Sequence, residues 1–160
     1  MEKDLYQRFL NYCFWLLGRR AYSRSEIIKC VERKAKKMKL DGSETRQIKE
    51  RVLSRLEELN YINDAKILEN YFEYRLPARP AGKYIFLNEM RRRGIDVDAA
   101  KTAWNSRNIN EEKLAEEFIE SHLKRLKGLD LQKRKKRIAG LLSRRGFSTD
   151  TVWGIVNANH

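Results

Sequence analysis

Residues 88–96 read NEMRRRGID and residues 140–148 read GLLSRRGFS, so the chain carries two versions of one short pattern. In both, a helical apolar pattern ends in arginines and a glycine. A glycine just past a helix end adopts the left-handed conformation that closes the last turn at little steric cost. Gly94 and Gly146 are therefore predicted to end two helices at equivalent corners of the fold.

The residues that follow each glycine complete the corner. An apolar residue at this place contacts the preceding helix five positions back. The resulting pairs are Ile95 with Met90, and Phe147 with Leu142. The next positions hold residues that cap helices well, Asp96 and Ser148. Each stretch therefore encodes a helix end, a buried hinge and a new helix start, and none of these features requires the arginines.

Apolar residues recur at helical spacing through almost the whole chain, and strand alternation is nearly absent. The sequence therefore predicts an all-α protein. Its nine predicted helices form three tandem three-helix repeats, at residues 1–60, 61–108 and 109–160. Ser23 is expected to cap the second helix, with Glu26 reciprocating three residues later. The stretch LPARPAG, at residues 76–82, is expected to interrupt the helix that precedes it.

The charge balance favours a polyanionic partner. Lys and Arg number 35 against 22 Asp and Glu, which gives a net charge of +13. Such a surplus is typical of proteins that bind nucleic acid. No apolar run is long enough for a membrane span, and the N-terminus carries acids where a signal peptide needs bases. We therefore expect a cytoplasmic protein with no membrane partner, and a monomer because no long heptad seam is present.

Cations without nearby acids cluster on two predicted helix faces. In the helix from about 131 to 145, four of them point away from the apolar side: Lys133, Lys136, Arg137 and Arg144. No acid occurs between Leu131 and Phe147, so no i,i+4 partner neutralises this face. The middle repeat carries a similar set beside a single local acid, Glu89: Arg75, Arg79, Lys83, Arg91, Arg92 and Arg93. Each patch alone is compatible with a solubilising surface, but two patches at equivalent positions favour binding.

Helical phase divides the arginines of the two quoted stretches. Arg92 and Arg144 share a phase on their helices and point outward. Arg93 and Arg145 fall closer to the core edge, where their aliphatic stems can cover apolar surface. The outward pair is therefore the better candidate for a direct contact with a partner.

Among the aromatic residues, one differs from the rest in its predicted environment. Trp104 and Trp153 lie near the ends of apolar stripes and are predicted to pack in the fold. Tyr84 lies away from the apolar side of its helix and beside the basic face. There it is placed to stack on a base or on a partner protein.

Catalytic and metal-binding signatures are missing from the sequence. It contains no Gly-rich phosphate loop, no HExxH and no GxSxG motif. His122 and His160 are its only histidines, and His122 lies on the apolar side of a helix, where a structural role is expected. Asp64 and Asp98 are interpreted as helix caps or first-turn residues, and both cysteines as core thiols. The sequence therefore predicts no enzyme activity, no metal and no cofactor.

Four stretches together resemble the RecX family of regulators of the RecA recombinase. They are RRAYSRSEI (19–27), LNYIND (59–64), GKYIFLNEMRRRGID (82–96) and LLSRRGFSTDTV (141–152). The resemblance covers nearly the whole chain in order and spacing. It implies an elongated, curved, modular rod of three-helix repeats without catalysis of its own. Such proteins bind the RecA filament on single-stranded DNA and limit strand exchange, ATP turnover and the co-protease activity that triggers the SOS response.

The expected partners are therefore the RecA filament and single-stranded DNA, with duplex DNA left open, bound without sequence preference. The predicted contact residues are Arg75, Arg79, Lys83, Tyr84, Arg91, Arg92, Arg93, Lys133, Lys136, Arg137, Arg144 and Arg145. The alternative is a helix-turn-helix DNA-binding transcription regulator, because three-helix units with a glycine corner also describe that motif. The helices after the corners, DVDAAKTAWNSR and STDTVWGIVNAN, are acidic, small or apolar, which suits packing better than base reading.

Overall fold

The computed structural model describes residues 2–158, and every regular element in that range is a helix. The all-α prediction is confirmed, and His160 lies outside the described residues. The first helices are α1 (Glu2–Leu17), α2 (Arg24–Lys37) and α3 (Gly42–Glu58). They are followed by α4 (Asp64–Asn70), a π-helical turn (Tyr71–Arg75), α5 (Leu76–Ala78), α6 (Lys83–Arg92) and α7 (Val97–Asn105). The last are α8 (Glu111–Glu120), α9 (Leu123–Leu126), α10 (Leu131–Arg144) and α11 (Thr149–Ala158).

The π-helical turn lies between α4 and α5, directly before Pro77. Proline has no N–H to donate, and its ring crowds the preceding turn of a regular α-helix. The N–H of Leu76 accordingly donates to the carbonyl oxygen of Tyr71, five residues earlier. The helix ends at Ala78, so the interruption predicted within residues 76–82 is confirmed.

The contacts between its residues divide the chain into two compact units. Unit 1 contains the residues up to Ile67 together with Arg93–Ile95. Unit 2 contains Leu68–Arg92 together with the residues from Asp96 onward. The three repeats predicted at residues 1–60, 61–108 and 109–160 stay a prediction.

Unit 1 is built on a core between α1, α2 and α3. Its most deeply buried residues include Phe9, Cys13, Ile27, Val31, Val52 and Leu56. Burial raises the pKa of the Cys13 thiol to about 12, so the thiol stays protonated and acts as a small apolar residue. Ser23 accepts the backbone N–H of Glu26, and the Glu26 carboxylate accepts the N–H of Ser23. The predicted capping box is confirmed and fixes the start of α2.

Unit 2 has a cluster of aromatic rings around Phe86. The ring centroids of Tyr71 and Phe72 lie 4.7 and 5.0 Å from that of Phe86. Trp104 lies 5.3 Å away and is 5% exposed, so its predicted packing in the fold is confirmed. A second apolar group joins α8, α10 and α11: Ala115, Ile119, Ile138, Leu142, Phe147, Val152, Ile155 and Val156. These two groups hold α6 and α10, the helices that carry most of the predicted binding residues.

Candidate nucleic-acid interface

The corner at Gly94 packs against the start of α2, within unit 1. Gly94 has a φ of +70°, as the sequence predicted. A Cβ at this position would lie 2.2 Å from the Ser25 hydroxyl oxygen, so the backbone approaches α2 too closely for a side chain. The Ser23 hydroxyl donates to the carbonyl oxygen of Arg93. The corner is therefore fixed through backbone atoms.

The Arg93 side chain completes the same corner. Its guanidinium donates to the carbonyl oxygen of Ala21 at 2.7 Å and pairs with the Glu26 carboxylate at 3.2 Å. Arg20 also pairs with Glu26, at 3.1 Å. Burial alone would raise the pKa of Glu26, but hydrogen bonds from Arg20 and Ser23 and the charge of Arg93 hold it below its ordinary value. Arg93 is thus only partly exposed, and its charge is balanced within the fold.

The corner at Gly146 packs in the same way against the start of α6, within unit 2. Gly146 has a φ of +72°. The Gly82 N–H donates to the Arg145 carbonyl oxygen at 2.9 Å, and the Tyr84 N–H donates to the Gly146 carbonyl oxygen at 3.3 Å. A Cβ on Gly82 would lie 2.1 Å from the Gly146 carbonyl oxygen. The Phe147 N–H donates to the carbonyl oxygen of Leu142, so the chain turns back on α10 as predicted.

The Arg145 side chain repeats the role of Arg93 without a carboxylate. Its guanidinium donates to the carbonyl oxygens of Pro80, at 2.6 Å, and Arg79, at 3.0 Å. It also lies over the ring of Phe118, 5.6 Å from the centroid. Burial lowers the pKa of Arg145, and the charges of Arg79 and Arg75 lower it further. The guanidinium still carries its charge at neutral pH, because arginine starts from a pKa above 12.

At the starts of both α2 and α6, a carboxylate from another helix accepts a backbone N–H. The Asp64 carboxylate, at the first residue of α4, accepts the N–H of Arg24, the first residue of α2, at 3.0 Å. The Glu111 carboxylate, at the first residue of α8, accepts the N–H of Lys83, the first residue of α6, at 2.7 Å. A carboxylate stabilises the free N–H groups at a helix start. Asp64 lies in the first turn of α4, within the role that the sequence suggested, but its contact with α2 and that of Glu111 with α6 were missed because each joins segments distant in sequence.

Several predicted binding residues of the middle segment already have partners. Arg75 pairs with Glu89 at 3.5 Å, and the Lys83 ammonium donates to the side-chain oxygen of Asn105 at 2.8 Å. Arg91 donates to the side chain of Asn88, one turn earlier on α6. Among the cations predicted to bind in this segment, those that are exposed and have no carboxylate partner in the described part of the chain are Arg79, Arg91 and Arg92. Because no carboxylate of the described residues neutralises these cations, they are available to an anionic partner.

Four cations of α10 are exposed, as their helical phase predicted, and three of them are uncompensated. Lys136, Arg137 and Arg144 have no carboxylate partner among residues 2–158. Lys133 differs, because its ammonium lies 3.1 Å from the carboxylate of Asp130, the residue that caps α10. A backbone hydrogen bond from Lys133 lowers the pKa of Asp130, so the cap is charged at neutral pH. The expectation that this face has no acidic partner is therefore wrong for Lys133.

Two exposed aromatic residues of unit 2 border one shallow groove. Tyr84 is 67% exposed, as predicted, and the groove runs from it past Ala139 and Ser143 of α10 to Trp153, with a volume of about 280 Å³. Trp153 is 56% exposed, so its predicted packing in the core or between repeats is wrong. The core face of α11 is formed by residues one turn apart, and Trp153 lies off that stripe.

The described residues contain no group of three or more metal-ligating side chains suited to hold an ion. Within the same range, no helix combines the length and hydropathy that a membrane span requires. The candidate interface consists of the exposed cations and the aromatic groove of unit 2 that are described above.

Comparison with known proteins identifies the family. Residues 110–156 match the family model described as the third three-helix domain of RecX. The regulatory protein RecX of Prosthecochloris aestuarii is 32% identical over 149 residues, which cover 91% of this chain and 89% of the relative. The chain belongs to the RecX family. RecX of Amycolatopsis mediterranei is 26% identical over 155 residues, covering 96% of this chain and 84% of that protein.

A solved RecX structure has the same fold. The crystal structure of RecX from Lactobacillus salivarius matches with a TM-score of 0.73 and 18% identity. The match covers 98% of this chain and 97% of that one. The relatives named regulatory protein RecX and the family model support a regulatory role of the RecX type, and the helix-turn-helix transcription regulator weighed from the sequence is not favoured.

Proposed function

We propose that this RecX-family protein binds the RecA filament on single-stranded DNA and restrains it, limiting strand exchange, ATP hydrolysis and co-protease activity. The observation that carries the proposal is the uncompensated face of α10, where Lys136, Arg137 and Arg144 are exposed without a carboxylate partner in residues 2–158. Family membership supplies the RecA context. Arg93 and Arg145 are left out of the proposed contact, because their guanidinium groups are held by the fold.

Electrostatics explains why such a surface suits a nucleoprotein filament. A filament that contains DNA carries a regular row of phosphate charges, and lysine or arginine that neutralises them releases condensed counterions. Contacts to phosphate supply affinity and carry no sequence information. Tyr84 and Trp153 border a groove that is also lined by Ala139 and Ser143 of α10, the helix that carries these cations, and their exposed rings offer surfaces for stacking. The expected binding is thus strong at low salt, insensitive to sequence and steeply weakened as salt rises.

Charge reversal on the outward face tests the proposal. A variant with Arg92→Glu, Arg137→Glu and Arg144→Glu should fail to inhibit RecA-driven strand exchange and ATP hydrolysis on single-stranded DNA. These side chains are exposed, so the fold should survive and the melting temperature should stay close to that of the wild type. Unchanged inhibition by the folded variant would contradict the proposal.

A matched control separates this surface from net charge. Arg46→Glu, Lys113→Glu and Lys127→Glu make the same change in total charge at exposed positions outside the proposed contact. This control should inhibit RecA as the wild type does. If both triple variants lose inhibition equally, overall charge and not the α10 face is responsible.

The dose dependence of inhibition distinguishes two modes of action. The rate of ATP hydrolysis by RecA is measured while the protein is added from far below one copy per RecA protomer up to saturation. Inhibition at far below one copy per protomer indicates that filament ends are capped. Inhibition that follows saturation indicates that the filament is coated along its length.

A further inference from the structure

A second aromatic and basic surface lies on unit 1, at residues for which the sequence predicted no binding. Tyr12 and Trp15 lie one turn apart on α1, with ring planes 18° from parallel and centroids 6.4 Å apart. Trp15 is 55% exposed, although it belongs to a helix whose other face forms the core of the unit. A large exposed ring held in a fixed orientation is the form of residue on which unpaired bases stack.

Cations surround these two rings. The Arg19 guanidinium lies 4.2 Å from the centroid of Trp15, and the Lys34 ammonium lies 4.5 Å from that of Tyr12. The charge of Arg33 also acts on Tyr12, where it opposes the rise in pKa that burial and Cys30 cause. The rings therefore lie among positive charges from α2 and from the turn that follows α1, an arrangement that pairs stacking with phosphate neutralisation.

The carboxylates of α2 do not neutralise this charge, because both are occupied elsewhere. Glu26 is held by Arg20 and Arg93 at the corner described above. Glu32 pairs with Lys49 of α3 at 2.8 Å. The cations of α2 that lack a carboxylate partner among the described residues are Lys29, Arg33, Lys34, Lys36 and Lys37. The charge of this surface is therefore complementary to a polyanion.

We propose that this face of unit 1 binds single-stranded nucleic acid directly, in the absence of any other protein. An unpaired base stacks on Trp15 and Tyr12, while Arg19, Arg33 and Lys34 contact the flanking phosphates. None of these residues belongs to the α10 surface of unit 2, and the proposed binding does not require that surface. An acidic peptide would share the attraction to the cations but would gain nothing from the rings.

The test uses the full-length chain and a fluorescently labelled oligothymidylate, with no RecA present. Trp15→Ala should weaken binding about tenfold, which corresponds to the loss of one stacked base. Trp15→Phe should retain most of the affinity, because it keeps an aromatic face. Tyr74→Ala is the matched control, since Tyr74 is 69% exposed and belongs to neither surface, and it should bind as the wild type does.

An abasic oligonucleotide of the same length separates stacking from charge. It carries the same phosphates without bases, so it should bind the wild type more weakly than oligothymidylate and should bind Trp15→Ala no worse than the wild type. The proposal is overturned if Trp15→Ala binds oligothymidylate as tightly as the wild type, or if an acidic polyglutamate peptide competes as well as the oligonucleotide does. Because RecA is absent, either result leaves the proposed RecA function to its own experiment.

Discussion

The corners at Gly94 and Gly146 perform the same structural task with different chemistry. In each, a left-handed glycine ends a helix, and the arginine before it donates to carbonyl oxygens ahead of another helix. Arg93 also pairs with a carboxylate, Glu26, whereas Arg145 is held by carbonyl oxygens and the Phe118 ring. The fold therefore requires the glycine and the carbonyl contacts, and the ion pair is an addition to one corner.

The residue before each packed helix differs in a related way. Before α2 it is Ser23, whose hydroxyl donates to the Arg93 carbonyl oxygen. Before α6 it is Gly82, whose backbone N–H donates to the Arg145 carbonyl oxygen at 2.9 Å. The hydrogen bond to the arginine carbonyl thus comes from a side chain at Ser23 and from the backbone at Gly82. Substitutions at Ser23 and Gly82 should therefore have very different effects on stability.

Gly82→Ala should produce the largest loss of stability. Its Cβ would lie 2.1 Å from the Gly146 carbonyl oxygen, an atom that cannot move without separating α6 from the corner. We expect the free energy of unfolding to fall by at least about 3 kcal/mol. The melting temperature should accordingly drop by more than about 6 °C in thermal unfolding followed by circular dichroism.

Gly42→Ala is the control for this prediction, because a Cβ at Gly42 meets nothing within 4 Å. It lies in the first turn of α3, where alanine should change the melting temperature little or raise it. If Gly82→Ala and Gly42→Ala both changed the melting temperature only slightly, α6 and the Gly146 corner would not be packed as closely as described.

Gly146→Ala and Gly94→Ala should both destabilise the protein, the first more than the second. Both residues have positive φ, which costs an alanine about 1 kcal/mol. A Cβ at Gly146 would lie 2.5 Å from the Ile85 side chain and 2.7 Å from the Ile85 backbone nitrogen, whereas the close contacts of a Cβ at Gly94 are with the side chain of Ser25. Ser25→Gly should therefore relieve part of the effect of Gly94→Ala, and Ile85→Gly should relieve less of the effect of Gly146→Ala. Equal relief in the two double-mutant cycles would contradict the backbone contact at Gly146.

The ion pair between Glu26 and Arg93 should make the stability that the Gly94 corner contributes dependent on pH. The pKa of Glu26 is below its ordinary value in the folded protein, so its stabilising effect is present above about pH 4.3, the ordinary glutamate pKa, and is lost as pH falls through the folded value. Glu26→Gln should lower the melting temperature at pH 7 by a few degrees, corresponding to about 1 kcal/mol for a partly exposed pair. The difference from the wild type should shrink as pH falls below 4.

Arg145→Gln provides the comparison, since this guanidinium has no carboxylate partner among the described residues. Its effect on the melting temperature should be nearly the same at pH 7 and below pH 4. A pH dependence as large as that of Glu26→Gln would show that a carboxylate balances Arg145 after all.

Local rules predicted the parts of these corners that depend on neighbours in sequence. Glycine conformation and capping by Ser23 and Asp96 follow from a few adjacent residues, and the structure agrees with them. Helical phase placed Arg144 outward for the same reason. The all-α class was predictable because it depends only on the period of the apolar residues.

What the sequence did not reveal depends on contacts between distant segments. The pairing of Arg93 with Glu26 joins residues that no helical period relates. Trp153 was predicted to be buried because it adjoins an apolar stripe, but the packing of α11 selects a narrower face and leaves the ring exposed. The surface at Trp15 and Tyr12 was missed as a binding candidate for the same reason, since the α2 cations near Tyr12, Lys34 and Arg33, are distant from α1 in sequence.

Arg144→Gln should have the smallest effect on stability, in contrast to the same substitution at the adjacent Arg145. Arg144 is exposed without a carboxylate partner in the described range, so Arg144→Gln should change the melting temperature by no more than about 2 °C. If it contacts a phosphate, the slope of log affinity for single-stranded DNA against log salt should become shallower by about 0.7. Arg145→Gln should do the opposite, lowering the melting temperature and leaving the slope unchanged, because its guanidinium is committed to Pro80 and Arg79. Identical salt slopes for Arg144→Gln and the wild type would mean that this outward cation serves solubility and not binding.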